Sequence, residues 1–250
     1  MNTRKGMFTQ IWIVICLCLP LGSISANEHS LASSNEPLTQ AQLADVQALY
    51  TQPATTEALS ALAQQLNLQL DTRGQFIQRR HLQVLKKPLL SQGQFIFSPT
   101  QGLVWQQLRP FSTLMVLKDQ QLIQQNSQGK VQQLNAMASG SPIAQQVPRL
   151  LQAIMAGNMA ALSADFTLFM PANYNAGTPW QLGLQAKDPQ LRASMGNITL
   201  SGDTLLRSLI ITSSQANISD YTQIQFLDAQ QGPLSTTELE LFSLGSESNQ

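Results

Sequence analysis

Cysteine, histidine and charged residues are all scarce in this chain. The two cysteines, Cys16 and Cys18, both lie near the N-terminus, and there are only two histidines. Charged residues make up 11% of the chain, whereas typical soluble domains contain about 25%. The 35 glutamines supply polarity without charge. No basic stripe interleaved with aromatic residues is present, so the sequence gives no support to nucleic-acid binding.

The first 26 residues differ in kind from the rest. Arg4 and Lys5 precede the apolar stretch "MFTQIWIVICLCL", and "SISA" follows it with small residues. This order predicts a secretory signal peptide over residues 1–26, cleaved after Ser25 or Ala26. An uncleaved membrane anchor is the alternative, but a span needs roughly 20 apolar residues. We therefore expect a bacterial periplasmic protein.

Cleavage removes both cysteines. The mature chain then has no disulfide, no thiol nucleophile and no thiolate metal site. Loss of Arg4 and Lys5 from the 14 basic residues leaves 12 against 14 acidic ones, a net charge near −2.

Two short amphipathic helices are predicted after a loose polar leader at residues 27–37. Thr39 with Gln42 fits a capping box that begins the first helix, and Thr56 begins the second after Pro53. Their apolar stripes contain Leu43, Val46, Leu49 and Tyr50 in the first helix and Leu59, Leu62, Ala63 and Leu66 in the second.

Beyond Asp71 the hydrophobic period changes from about 3.6 to 2. Six closely spaced segments from "RGQFIQRRHL" to "KVQQL" predict an antiparallel meander. A helical stripe follows, made of Val147, Leu150, Leu151, Ile154 and Met155. A second meander runs from "DFTLFMP" to "YTQIQFLD", and then a short strand is predicted at "TELELFSL". We expect one domain over residues 38–244 and a tail at 245–250.

Groups suited to catalysis are few. His29 lies in the leader, and His81 lies among Arg79, Arg80, Lys86 and Lys87, where a solvated strand end is the ordinary explanation. The acidic residues fall singly in predicted turns, and no nucleophile elbow, phosphate loop or metal-ligand spacing is present. The sequence therefore predicts no enzyme activity, no cofactor and no metal.

Apolar side chains on strands are what remains. Period-2 spacing lets one face of the first meander contain Phe76, Phe95, Phe97, Leu103, Trp105, Leu114, Val116 and Leu122. The same spacing puts Ile77, Ile96, Val104 and Met115 on the other face. Core packing explains any single one of these residues. Together, however, so many apolar and aromatic residues on one face indicate a cavity for an apolar ligand.

Four short motifs occur in a fixed order in this region. They are Phe76 with Gln78; Gly93 with Phe95 and Phe97; Pro99 with Leu103 and Trp105; and Pro110 with Leu114 and Val116. This order resembles the LolA-like periplasmic carriers of outer-membrane lipoproteins, and the likeness covers roughly Thr39 to Leu244. The resemblance implies an α+β fold, an incomplete, half-open antiparallel β-barrel with helices covering its open side as a lid.

Further expectations follow from the resemblance. The eight residues of the predicted face would bind acyl chains of a lipoprotein or another lipid. Lid helices would present Leu43, Val46, Leu59, Leu62, Val147, Leu151 and Ile154. A monomer would take its cargo from an inner-membrane donor complex to an outer-membrane acceptor, without covalent chemistry or a cofactor.

One position departs from the family pattern. Family members have a lid-tethering arginine before the turn proline, whereas this chain has Ser98. The candidates to replace this arginine are Arg79, Arg80 and Arg109. Two other functions are possible alternatives. One is a periplasmic lipid-sensing regulator of the same fold. The other is a cofactor-free enzyme that uses the same cavity, with Gln78 as its one identified polar group.

Overall fold

The computed structural model describes residues 37–66, 70–119, 121–135, 153, 157–212 and 220–244. The predicted signal peptide, nearly all of the leader and the tail lie outside these ranges. So does most of the predicted helix at 147–155.

Within these ranges eleven strands form two meanders, as the period-2 segments predict. The first contains β1 (Thr72–His81), β2 (Leu89–Ser98), β3 (Gly102–Arg109), β4 (Thr113–Lys118), β5 (Gln121–Gln125) and β6 (Val131–Asn135). The second contains β7 (Phe166–Phe169), β8 (Trp180–Ala186), β9 (Asn197–Gly202), β10 (Leu206–Thr212) and β11 (Tyr221–Gln231).

All eleven strands belong to one sheet. Their order is β6-β5-β4-β3-β2-β1-β11-β10-β9-β8-β7, and every neighbouring pair is antiparallel. The two meanders are joined where β1 pairs with β11, with Phe76 opposite Phe226. Over the described residues the sheet is unclosed, with β6 and β7 at its edges. The predicted fold class, α+β with an open antiparallel sheet and helices, is confirmed.

Five α-helices accompany the sheet within the described residues. They are α1 (Gln40–Ala48), α2 (Thr56–Gln65), α3 (Met159–Asp165), α4 (Pro189–Met195) and α5 (Thr236–Leu241), and a 3-10 turn (Leu49–Thr51) follows α1. The predicted capping box of Thr39 and Gln42 begins α1. None of these helices combines the length and the apolar character needed to span a bilayer.

The stretch "TELELFSL" is a helix, so its prediction as a strand is wrong. Ser235 and Glu238 form a capping box at the start of α5, which satisfies backbone N–H groups at the helix end. Phe242, directly after the helix, packs against the sheet with Leu241. The alternation of Leu and Glu also fits a strand, but these two features stabilise a helix.

Each face of the sheet has its own apolar cluster. We call the face with Phe76, Phe95 and Trp105 the inner face, and the opposite face the outer face. The outer cluster, covered by α5 and the residue after it, contains Ile96, Val104, Val116, Ile123 and Phe242. The inner face continues across both meanders and packs against α2, α3 and α4 through Leu62, Leu162 and Leu191.

Candidate functional site

The inner face is built from aromatic side chains on adjacent strands. Phe76 stacks on Trp105 with ring centroids 3.8 Å apart, although β2 lies between their strands. The ring of Phe95 meets that of Phe226 edge to face at 5.2 Å. Offset stacks and edge contacts of this kind add to the free energy gained from area burial alone. Four aromatic rings therefore form one continuous surface on β1, β2, β3 and β11.

Two glycines make room for these rings. In the strand register Gly93 lies opposite Phe76, and Gly74 lies opposite Phe95. A Cβ at Gly93 would lie 2.8 Å from the Phe76 ring and would clash with the carbonyl oxygen of Gln106. The glycine in "G-x-aromatic-x-aromatic" is thus explained by the ring that lies flat across the neighbouring strand.

The aromatic surface continues toward the edge of the first meander. Phe97 lies opposite Leu103, and Leu103 lies opposite Leu117. A second buried cluster on this face contains Phe97, Leu103, Met115, Leu117 and Leu122. The half-buried Trp105 packs against both inner clusters. It therefore lies at the centre of the apolar face.

Two residues predicted for this face lie on the other one. Leu114 and Val116 belong to the outer cluster, while the register puts Met115 opposite Trp105. The run "TLMVLK" is apolar at four consecutive positions, so alternation does not distinguish the two faces. Six of the eight predicted residues share the inner face, and Met115 and Leu117 belong with them.

The helix α2 packs on the inner face. Leu62 has no exposed surface, and Leu66 is buried beside it. The half-buried Leu59 packs against the same cluster. Met159 and Leu162 of α3 are buried there too, next to α2. These two helices therefore add an apolar layer to the inner cluster.

The helix α1 lies on the outer face, which corrects its predicted place in a lid. Before it, the backbone N–H of Leu38 donates to the Tyr221 hydroxyl at 2.9 Å. After it, the Tyr50 hydroxyl bonds to Thr199 at 2.9 Å, and burial raises the pKa of this tyrosine. Tyr221 and Thr199 alternate with inner-face residues of their strands, so they point outward.

The chain passes around the edge of the sheet between α1 and α2. Pro53 forms a bridge with Phe169 of the edge strand β7, and the N–H of Ala54 donates to the Leu168 carbonyl at 2.8 Å. Leu43 and Val46 are buried on α1, away from the inner face. The two N-terminal helices thus cover opposite faces.

The predicted lid residues Val147, Leu151 and Ile154 lie outside the described residues. Ala153, within the same stretch, is helical and packs against the inner cluster. The lid role of this stretch stays a prediction.

The second meander supplies inner-face residues that the sequence prediction did not name. They are Phe166, Leu168, Trp180, Leu182, Leu184, Ile198, Leu200, Leu209, Ile224 and Phe226. The available signal was the recurrence of apolar residues at every second position, throughout "WQLGLQA" and at Ile224 and Phe226 of "YTQIQFLD".

Polar groups on the inner face are few. Gln78 and Thr222 are buried on strands whose inner-facing residues include Phe76 and Ile224. The Thr222 hydroxyl has no hydrogen-bond partner within the described structure. No three His, Cys, Asp or Glu side chains in the described ranges come together in a way that could hold a metal ion. The chemistry this face offers is the exclusion of water from apolar groups.

The Ser98 hydroxyl stabilises a turn, and it forms no hydrogen bond with a helix among the described residues. Its hydroxyl accepts from the Gln101 N–H at 3.2 Å and bonds to the Thr100 hydroxyl at 3.2 Å. Of the arginines considered as replacements, Arg79 points outward, is 1% exposed and donates to the Gln225 side chain at 2.7 Å. Arg79 therefore lies on the wrong face to tether α2.

These features define a class of protein. In this class, short helices pack on the apolar face of an unclosed antiparallel sheet and enclose apolar surface between them and the sheet. The family model described as "Outer membrane lipoprotein carrier protein LolA-like" matches residues 51–220. The chain belongs to this LolA-like family.

The solved structures that match this chain share little sequence with it. A LolA superfamily protein from Nitrosomonas europaea is 10% identical, with 74% of this chain and 97% of that chain covered and a TM-score of 0.41. A putative outer membrane lipoprotein-sorting protein domain from Vibrio parahaemolyticus is 7% identical over 74% and 97%, with a TM-score of 0.41. The Pseudomonas aeruginosa MucA/MucB complex gives 16% identity over 74% and 59%, with a TM-score of 0.33. No curated protein matches the sequence.

Proposed function

We propose that this protein is a periplasmic carrier that holds the acyl chains of a lipoprotein, or of another lipid, against the inner face and moves them from the inner to the outer membrane. The observation that supports this most is the continuous aromatic and aliphatic face under α2 and α3. Membership of a carrier family supports it independently. Acyl binding requires no covalent step, so the carrier acts without catalytic groups or a cofactor.

The helices α2 and α3 would act as the lid. In the structure Leu62, Met159 and Leu162 occupy the apolar face, so an acyl chain has to displace them. Burial of one long chain is worth on the order of 10 kcal/mol, at about 0.8 kcal/mol per CH₂. The contacts that the lid loses on opening are subtracted from that value. The carrier can therefore bind firmly and still release its cargo.

The trapped ligand tests the proposal directly. The protein is purified from a native periplasm without detergent, and mass spectrometry identifies what an organic solvent extracts from it. A defined acylated molecule at near-stoichiometric amount is the expected result. Protein that is repeatedly free of lipid and takes up no fluorescent acyl probe would contradict the proposal.

A transfer assay separates a carrier from the lipid-sensing alternative. Loaded protein is mixed with acceptor vesicles, and the appearance of the acyl probe in the vesicles is followed over time. A carrier delivers the probe at a rate above that of spontaneous transfer. A sensor would retain the probe, and loading would change its affinity for a protein.

A further inference from the structure

The turn between β1 and β2 exposes an unusual amount of apolar surface. Val84 is 88% exposed and Leu85 is 42% exposed, while Leu90 at the start of β2 and Leu108 near the end of β3 are 44% and 45% exposed. The described residues contain seven exposed large hydrophobic side chains in all. Four of the seven lie at this one end of the first three strands, which we call the apolar tip.

The apolar tip is held by hydrogen bonds. The N–H of Leu85 donates to the Leu82 carbonyl at 2.9 Å, which closes a four-residue turn with Val84 in a central position. The N–H of Gln83 donates to the Asp220 carboxylate at 2.8 Å, which ties the turn to the start of β11. The folded structure therefore presents Val84 to solvent.

Basic residues surround the apolar tip. Lys86 and Lys87 directly follow Leu85, and Arg109 directly follows Leu108. The ion pairs of the described residues are Arg73–Glu238 and Arg207–Asp203. The three cations beside the tip thus take part in no ion pair within the described structure.

The whole end of the sheet shares this positive charge. Neighbouring antiparallel strands run in opposite directions, so the end of one strand lies beside the start of the next. The ends of β1, β8 and β10 therefore lie together with the starts of β9 and β11. The basic residues at this end are Arg80, Lys86, Lys87, Arg109, Lys130, Lys187 and Arg192, and the described acidic ones are Asp165, Asp188 and Asp220. Asp188 accepts from the Leu191 N–H, and Asp220 accepts from the Gln83 N–H. The rest of the mature chain is consequently acidic on balance.

We propose that this end of the sheet docks on an anionic phospholipid bilayer, with Val84 and Leu85 entering the headgroup region and Lys86, Lys87 and Arg109 lying against lipid phosphates. The tip projects apolar side chains outward, which suits insertion between lipids. Long lysine stems lie along apolar surface while the ammonium group stays in water, and binding of this kind grows with apolar area and with charge. This goes beyond the proposed carrier function, because docking needs no cargo.

Vesicle flotation tests the docking surface with cargo-free protein. We expect binding to vesicles of phosphatidylcholine with phosphatidylglycerol at low salt, and weak binding to phosphatidylcholine alone. The variants Val84→Ser with Leu85→Ser, and Lys86→Gln with Lys87→Gln, should each bind on the order of tenfold less. The matched control Leu70→Ser with Lys118→Gln changes an exposed leucine and a lysine at the opposite end and should bind normally.

A reporter at the tip gives a second readout. In Val84→Trp the added indole should shift its emission to the blue on anionic vesicles, and brominated lipids should quench it. Wild-type binding equal to that of the tip variants, or no binding to anionic vesicles at low salt, would overturn the proposal. So would tip variants that bind vesicles normally but lose cross-links to a membrane protein, since that result assigns the surface to a protein partner. Uptake of an acyl probe, measured on the same variants, reports separately on the carrier function.

Discussion

At the scale of single residues, Trp105 occupies the position most informative about function. It is half-buried, although its neighbours on the inner face are buried. It stacks on Phe76, and its ring meets that of Phe226 edge to face at 6.2 Å. Its incomplete burial leaves part of the indole ring uncovered by the described residues.

Substitution of Trp105 separates ligand binding from packing. Trp105→Ala should lower acyl-probe affinity on the order of tenfold and cost less than the roughly 3–5 kcal/mol typical of a fully buried tryptophan. The matched control Val104→Ala removes a neighbour whose side chain is buried on the outer face. It should lower stability by about 2 kcal/mol and leave probe affinity unchanged. Probe titrations and urea unfolding of both variants supply the measurements, and equal affinity losses would rule out the inner face as the binding surface.

Gly93 should tolerate no side chain. In Gly93→Ala the new methyl group would meet both the Phe76 ring and the backbone oxygen of Gln106. Because the backbone oxygen cannot move aside as a side chain can, we expect a loss of about 3 kcal/mol or more. Gly129→Ala is the control, since nothing lies within 4 Å of its added Cβ. Its positive φ alone should cost about 1 kcal/mol, and urea unfolding compares the two.

His81 should make the fold less stable in weak acid. Its ring stacks on Tyr221 at 4.3 Å, and burial together with the charge of Arg79 lowers the pKa of the imidazole. The unfolded chain then takes up the proton first, so the free energy of unfolding falls as pH drops through about 6.5 and on to the folded pKa. His81→Phe keeps an aromatic stack without titrating.

The comparison is made by urea unfolding at pH 7.5 and 5.0. Wild type should lose more stability between the two values than His81→Phe does. Asp203 and Glu238 have lowered pKa values because backbone N–H groups of Leu205 and Ser235 donate to their carboxylates. Their contribution is lost only at more acidic pH, below about 4. Equal pH dependence in the two proteins would contradict the assigned role of His81.

At the scale of elements, the two N-terminal helices have different tasks although their sequences look alike. The helix α2 covers the inner face, while α1 is fixed to the outer face by contacts before and after it. Among the described helices, α2, α3 and α4 pack on the inner face, and α2 and α3 are the ones proposed to move aside for a ligand. Of the predicted lid residues within the described ranges, only Leu59 and Leu62 therefore lie on the inner face.

Hydrogen exchange distinguishes the helices. On loading with an acyl ligand, amides of α2 and α3 should exchange faster, because their apolar side chains leave the sheet. Amides of α1 should be unchanged, which makes this helix an internal control. Mass spectrometry of peptides from empty and loaded protein gives the result. Equal protection of α2 in both states would refute the lid.

At the scale of the whole molecule, the two meanders share one sheet and one inner cluster, so we expect them to unfold as one cooperative unit. The β1–β11 pair extends over nine register positions from Thr72 to His81, and the inner cluster includes residues of both halves. Neither meander can lose its structure without exposing apolar surface of the other.

Two tryptophans allow this unity to be measured. Trp105 lies in the first meander and Trp180 in the second. In Trp180→Phe and Trp105→Phe variants of protein produced without residues 1–26, which contain Trp12, each remaining tryptophan reports on its own half of the sheet. For each variant, the urea midpoint of tryptophan fluorescence is compared with the midpoint of circular dichroism of the same variant. Any change in stability caused by the substitution affects both midpoints equally. The two midpoints should therefore coincide. A tryptophan signal that changes at a urea concentration well away from the circular dichroism transition would show that the halves unfold separately.

Much of the local structure could be predicted because it depends on near neighbours in the chain. The capping box at Thr39, the eleven strands and the turn after Ser98 follow from side-chain hydrogen bonds and period-2 spacing. The helix α4 was missed, although Asp188 caps it, Pro189 is its first residue and Gly196 ends it. These are signals that the sequence contained.

The sequence by itself determined that a β-rich chain with few charges would bury two sets of alternating side chains, and it marked Phe76, Phe95, Phe97, Leu103 and Trp105 as one set. Only the tertiary structure decided which face the apolar run of β4 presents, and on which side of the sheet each N-terminal helix lies. The physical reason is that alternation fixes which residues lie together but not the face they occupy when both faces are covered. The edge contact of Pro53 with β7, distant in sequence, sends α1 and α2 to opposite sides.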